Sequence, residues 1–131
     1  MAIRTIARWL LGLVFVAAGS VHFILPEAYL PMMPPYLPWP RELIFVSGAC
    51  EILGGFGVLF PNVRIQRAAG LGLIFLLIAV FPANLHMALN DTPVLGRHFS
   101  DAVRWGRLPM QLVLIAWAWW ATRTERSKRA M

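Results

Sequence analysis

The sequence predicts an all-α polytopic membrane protein, a four-transmembrane-helix bundle with a proline-rich outer loop, forming a single domain over residues 1–131. Three observations predict it: four apolar stretches of spanning length, a composition too apolar for its own polar surface, and arginines gathered where the stretches end. The stretches are Trp9–Leu25, Leu43–Phe60, Ala68–Leu89 and a shorter Leu108–Thr122, extendable to Trp105. Roughly 20 apolar residues cross about 30 Å of hydrocarbon. Hydrophobic residues make up 59% of the chain and charged ones 14%, where a soluble domain carries roughly 25% charged. Too little polar sequence remains to cover a water-facing surface.

The first span follows Arg4 and Arg8 and leads to Ala17-Ala18-Gly19-Ser20, a pattern shared with secretory signals. It is long enough to span and is read as helix 1. Pro26 stops it. The segment Pro26–Pro40 then holds six of the ten prolines, so no long helix can form there. Its Tyr29, Leu30, Met32, Met33, Tyr36, Leu37 and Trp39 are unlike a solvated linker. A stiff, partly buried loop over the outer end of the bundle is expected, since irregular backbone at membrane depth must be covered. Helix 2 returns to Pro61-Asn62, and a basic link leads into helix 3, which contains Pro82. The outer loop from Asn90 to Arg104 carries Asp91, Arg97, His98 and Asp101 before helix 4.

Arg4, Arg8, Arg64, Arg67, Arg123, Arg126, Lys128 and Arg129 fall on one side, and Arg41, Arg97, Arg104 and Arg107 on the other. Eight against four places both termini in the cytoplasm by the positive-inside rule. Trp9, Trp117, Trp119 and Trp120 would mark the inner interface, Trp39 and Trp105 the outer one. The net charge of +6 therefore reads as topology, with the lipid bilayer as partner and no nucleic acid. Gly12 with Gly19, and Gly48 with Gly55, repeat at one spacing and would let helices approach closely. Cys50 is the single cysteine, which excludes an internal disulfide and a CxxC pair; packing is its expected role.

Polar groups in hydrocarbon are costly and become site candidates by default. They are His22 on helix 1, Glu51 on helix 2, Asn84 and His86 on helix 3, and Gln111 on helix 4, with Arg104 and Arg107 at its outer mouth. Most lie in the outer half, and Glu51 lies roughly 12 Å below Leu43 at about 1.5 Å per residue. A shared pocket under the loop is the expectation. Glu51 is expected neutral unless His22 or an arginine pairs with it, and its role is proton relay, ligand contact or a helix-to-helix hydrogen bond. The two histidines could hydrogen-bond, transfer protons or cap the interface. Haem between them is disfavoured, because b-type bundles place such ligands deeper. Asn84 and His86 project in nearly opposite directions on a regular helix. His86, sharing a face with Gly72, Ala79 and Ala83, is the expected inward member, while Asn84 could join neighbouring helices. Arg104 and Arg107 read as interface anchors or as contacts to an anion or quinone carbonyl. An internal echo pairs Leu13, Val16, Ser20 and His22 with Leu77, Val80, Asn84 and His86.

Several motifs resemble one family. Gly19-Ser-Val-His22-Phe, the loop Pro26–Pro40, Gly48-Ala-Cys-Glu51-Ile-Leu-Gly-Gly55, Phe81-Pro-Ala-Asn84-Leu-His86-Met-Ala and Arg107-Leu-Pro-Met-Gln111 together resemble the DoxX family of small bacterial membrane proteins. That resemblance implies a bacterial inner membrane. Relatives include a subunit of a thiosulfate:quinone oxidoreductase and proteins of thiol and oxidative-stress systems. It thus implies a redox-linked, quinone-facing subunit with His22, Glu51, Asn84, His86, Arg107 and Gln111 as ligand-binding residues. Quinone is the cofactor it suggests, a soluble or membrane redox protein or a second copy of the chain the partner. Lacking a cysteine pair, the chain is not expected to perform thiosulfate chemistry itself. A non-enzymatic scaffold for a partner complex is the alternative, and a proton-coupled transporter a third reading.

Overall fold

The computed structural model describes residues 2–90, 97 and 100–123. Asp91 and His98 of the outer loop, and Arg126, Lys128 and Arg129 of the basic tail, lie outside the described residues. The protein is all-helical. Helix α1 spans Ala2–Ile24, α2 Pro40–Leu59, α3 Val63–Ala79, α4 Phe81–Asn90 and α5 Asp101–Thr122. Two 3-10 turns, Pro26–Ala28 and Leu30–Met32, lie between α1 and α2.

Three helical stretches, Ile3–Ile24, Pro40–Leu59 and Val63–Asn90, are long and apolar enough to cross a membrane. Helix α5, 22 residues long, has the reach but not the hydropathy. Arg104, Arg107, Gln111 and four tryptophans make it more polar than the others.

The third expected span is present as Val63–Asn90, with a one-residue interruption ahead of Pro82. Rather than one helix with Pro82 inside, α3 ends at Ala79 and α4 begins at Phe81. Val80 sits between them at φ −88° and ψ −3°. Pro82 occupies the first turn of α4, where its missing N–H is no loss. The proline therefore starts a helix here instead of interrupting one.

Helices α1, α2, α3 and α5 form a closed ring, α1 packing most extensively on α2 and α5 closing against both α3 and α1. Close approach of α1 and α2 depends on glycine. A Cβ on Gly19 would stand 2.5 Å from the Gly48 carbonyl oxygen, and one on Gly48 would stand 2.9 Å from that of Gly19. Lower down, a Cβ on Gly55 would lie 2.7 Å from the Gly12 oxygen. Backbone thus touches backbone twice along one seam, at the repeated spacing read in the sequence.

The buried core lies towards the end that holds both described termini, with Leu11 and Phe15 of α1, Val58 of α2, Leu73 and Leu77 of α3, and Ala118 and Ala121 of α5. Polar contacts bind that end too. Arg8 Nη1 donates to the Val58 carbonyl at 2.6 Å, in the last turn of α2 where carbonyls lack helical partners. Trp117 Nε1 donates to the Ala7 carbonyl at 3.0 Å. Around the outside the helices present apolar side chains, Leu53 71% and Phe75 69% exposed among them.

At the opposite end the proline segment folds onto the bundle. Pro26 and Pro34 are buried, and the second 3-10 turn packs on α4 and α2. Trp39 enters α2 in the left-handed region at φ 51°, ψ 58°, a conformation rare for bulky residues. Cys50 is exposed on α2. It does not fill the core, contrary to the packing role expected of it.

Candidate functional site

His22 sits in the last turn of α1, buried, on the face that the glycine seam presses against α2. A Cβ on Gly48 would lie only 2.6 Å from His22 Cβ, and one on Gly19 would lie 3.0 Å from Glu51 Cβ. The two glycines bring the imidazole and the carboxyl together. His22 Nδ1 lies 2.8 Å from the Ala18 carbonyl oxygen and 3.1 Å from Glu51 Oε2. A single Nδ1 proton cannot point well at both. The Ala18 carbonyl, one turn back, takes the straighter bond, leaving Glu51 Oε2 buried with no hydrogen bond. A buried acceptor without a donor costs about 1–3 kcal/mol. Such an atom is a place where a further donor would bind.

The proline segment contributes the third member. After Pro26 the chain turns back, and the Tyr29 ring stacks on the His22 imidazole with centroids 4.0 Å apart and planes 20° apart. Burial pushes the Tyr29 phenol above its ordinary range; the Glu51 carboxylate adds to this, and the Arg107 guanidinium opposes it. Glu51 and Arg107 thus both act on Tyr29, with opposite sign. Tyr29 escaped the sequence reading as a site residue. The signal for it was only Pro26, which forces the chain to reverse within reach of the preceding helical turn.

Arg107, from α5, donates through Nη1 to Met87 Sδ at 2.9 Å. Met87 is fully buried, so it fixes the guanidinium between α4 and α5. Arg104 behaves as an anchor: Nη1 donates to the Ala88 carbonyl at 2.9 Å, in the last turn of α4, and Nη2 pairs with Asp101.

Asn84 and Gln111 form a separate unit. Asn84 Nδ2 donates to Gln111 Oε1 at 2.7 Å, and Gln111 Nε2 donates to the Leu77 carbonyl. Leu77 belongs to the last turn of α3, whose carbonyls lack helical donors. One amide therefore bridges both sides of the Val80 break and ties them to α5. Its hydrogen-bonding capacity is spent on helices, which identifies it as internal glue.

His86 was the expected inward residue and Asn84 the one that could join neighbouring helices; Asn84 does join α5, and His86 does not turn inward with His22 and Glu51. Asn84 continues the face that buries Leu73 and Leu77 of α3 and so meets α5, while Gly72 and Ala79 are exposed and His86 bonds within its own helix to Asn90, Nδ2 to Nδ1 at 3.1 Å. The six expected ligand-binding residues thus divide. His22 and Glu51 come together, Arg107 acts on the neighbouring Tyr29, Asn84 and Gln111 pair with each other, and His86 stands apart. Among the described residues no cluster of three or more His, Cys, Asp or Glu could hold a metal.

A family model described as Domain of unknown function (DUF8561) matches residues 11–122, from the Leu11 core position to the last residue of α5. No curated protein and no solved structure matches the chain.

Proposed function

The chain belongs to the family described as Domain of unknown function (DUF8561), and on that premise we propose that it is an integral membrane protein binding a quinone or similar amphipathic ligand for redox chemistry. Four crossings are assigned, with α3 and α4 together forming one bent span. Arg4, Arg8, Arg64, Arg67 and Arg123 share one end of the ring, which the positive-inside rule assigns to the cytoplasm. On this reading the membrane is a bacterial inner membrane, and the proline segment covers the outer end. The resemblance to DoxX proteins belongs to the same proposal and supports its redox character.

The single observation that carries it is the unsatisfied Glu51 Oε2, buried 3.1 Å from His22 Nδ1. A quinol hydroxyl is a donor of the required kind. Tyr29 supplies a ring that already stacks on an aromatic neighbour, and the Arg107 guanidinium supplies donors for a ring oxygen. The Glu51 carboxyl group and the His22 imidazole beside it can accept the protons that a quinol releases when a redox partner protein takes its electrons.

The test is binding of a short-chain quinol to the purified protein in nanodiscs. Wild type binds, and Glu51→Gln weakens binding about two- to tenfold, the range for a single hydrogen bond. Absence of binding by wild type, or equal binding by the variant, would remove the proposal.

The scaffold reading has one observation in its favour: Asn84 and Gln111 hold helices and nothing else. If the whole polar set acts so, Glu51→Gln lowers stability or partner recovery while no quinol binds to either protein.

A further inference from the structure

The ring of helices is closed differently at its two ends, and the Glu51–His22 pair lies between them. Toward the end that holds both described termini, each seam of the ring is shut. The α1 and α2 backbones touch at Gly12 and Gly55. Between α2 and α3, an added Cβ on Gly54 would stand 2.5 Å from Leu73 Cδ2, and one on Gly57 2.6 Å from Ala69 Cβ. Between α3 and α5, an added Cβ on Gly70 would run into the Thr122 side chain. Trp117 of α5 bonds to the Ala7 carbonyl of α1 at 3.0 Å.

Inside those seams Leu11, Phe15, Val58, Leu73 and Ala118 fill the ring, none more than 3% exposed. This apolar layer runs from the level of Glu51 to the Val58 carbonyl, roughly 10 Å lower at about 1.5 Å per residue. The buried polar side chains among the described residues are His22, Gln111 and Thr122. Gln111 is spent on Leu77 and Asn84, and Thr122 bonds to the Ala118 carbonyl at the far end. Protons cross a membrane along chains of ionisable side chains or through water, which needs room and polar partners. The layer supplies neither, and the helical N–H and C=O groups within it bond to one another.

The other side is different. His22 sits in the last turn of α1, and the proline segment covers it with Tyr29, which is half-buried, while Glu27 in the same turn is exposed. The titratable and charged neighbours come from this side: Tyr29 from the proline segment and Arg107 from α5. The α4 side chain here is Met87, and α3 presents Leu73 and Leu77.

We propose that the Glu51–His22 pair exchanges protons with the proline-covered end of the bundle alone, so that a quinol oxidised at the pair releases its protons at that end. Two O–H bonds of the quinol break, two electrons pass to the redox partner protein, the ring becomes a quinone, and both protons leave through the pair. The oxidation rests on the quinol reading; the one-sided exchange does not.

The experiment reads the Glu51 carboxyl group by infrared difference spectroscopy of the full chain in sealed proteoliposomes without quinol, with Glu51→Gln as the blank. External pH is stepped across the midpoint that the band shows in detergent. The fraction of protein with the proline segment outward is counted separately, by an impermeant maleimide on Glu42→Cys in a Cys50→Ala background. The fraction of the band that responds at once should equal the labelled fraction, and the rest should follow when an ionophore equalises the pH. Response of the whole band at once shows access from both ends, and a fraction matching the unlabelled protein shows access from the far end. Either result, or a band that never responds, would overturn the proposal. Quinol binding is measured apart: its failure removes the oxidation and leaves the one-sided exchange, whereas two-sided exchange leaves the binding site intact.

Discussion

Replacing Gln111 by Leu tests whether the amide across the Val80 break is structural. The substitution removes at once the donor to the Leu77 carbonyl and the acceptor for Asn84 Nδ2. Side-chain hydrogen bonds between membrane helices contribute about 0.6 kcal/mol on average and up to about 1.7, so two set an expected loss of about 1–3 kcal/mol. The upper part of that range applies, because Gln111 is 4% exposed and the Leu77 carbonyl is left with no replacement donor. Asn84→Leu breaks only one bond and should cost about 0.6–1.7 kcal/mol. Both act through the same amide, so the double variant should fall short of the sum by at least about 0.5 kcal/mol. Unfolding by sodium dodecyl sulfate in mixed micelles, followed by tryptophan fluorescence, measures all four proteins. Quinol binding at Glu51 should be unaffected throughout. A Gln111→Leu protein within about 0.5 kcal/mol of wild type, or strictly additive variants, would refute the bridge. Lost quinol binding in a stable Gln111→Leu protein would return Gln111 to the ligand site.

Gly48→Ala should destabilise by about 1–3 kcal/mol, the cost of overpacking, since its Cβ would meet His22 Cβ at 2.6 Å. Gly72→Ala, with nothing within 4 Å, should be neutral or slightly stabilising, and equal effects in the same unfolding assay would discount the glycine seam. With Tyr36 replaced by Phe, Tyr29 should ionise, by ultraviolet absorbance, above the ordinary phenol range, because burial and then Glu51 raise it; adding Glu51→Gln should lower that midpoint. The sign for stability follows from a folded-state value raised above the unfolded one. The Tyr29 contribution is complete below the ordinary phenol value and is lost as pH rises through the raised one; a Tyr29→Phe protein that loses stability equally at alkaline pH would contradict this.

Helix positions were legible because hydropathy depends on residue type alone. The C-terminal ends of α1, α2 and α5 fell within a residue of those read, while the helices begin three to seven residues ahead of the apolar runs, which hydropathy does not mark. The α1–α2 seam was legible as well, since repeated Gly12, Gly19, Gly48 and Gly55 have one evident physical use between helices. For the same reason the sequence identified His22 and Glu51 as groups out of place in an apolar run.

Which polar groups meet was decided by tertiary structure. Gly70, Leu73, Leu77, Asn84 and Met87 follow one helical period straight through Val80, and which side of that helix packs inward was decided by its neighbours. Asn84 rather than His86 reaches Gln111 because the side carrying Gly72 and Ala79 faces outward, and small residues alone do not say which side packs. Tyr29 joined His22 because two short 3-10 turns folded the chain back, and no periodicity encodes such a reversal. Sequence alone determined the helices and their buried polar groups. Rotation and close approach between helices decided the neighbours, because these depend on packing summed over several segments at once.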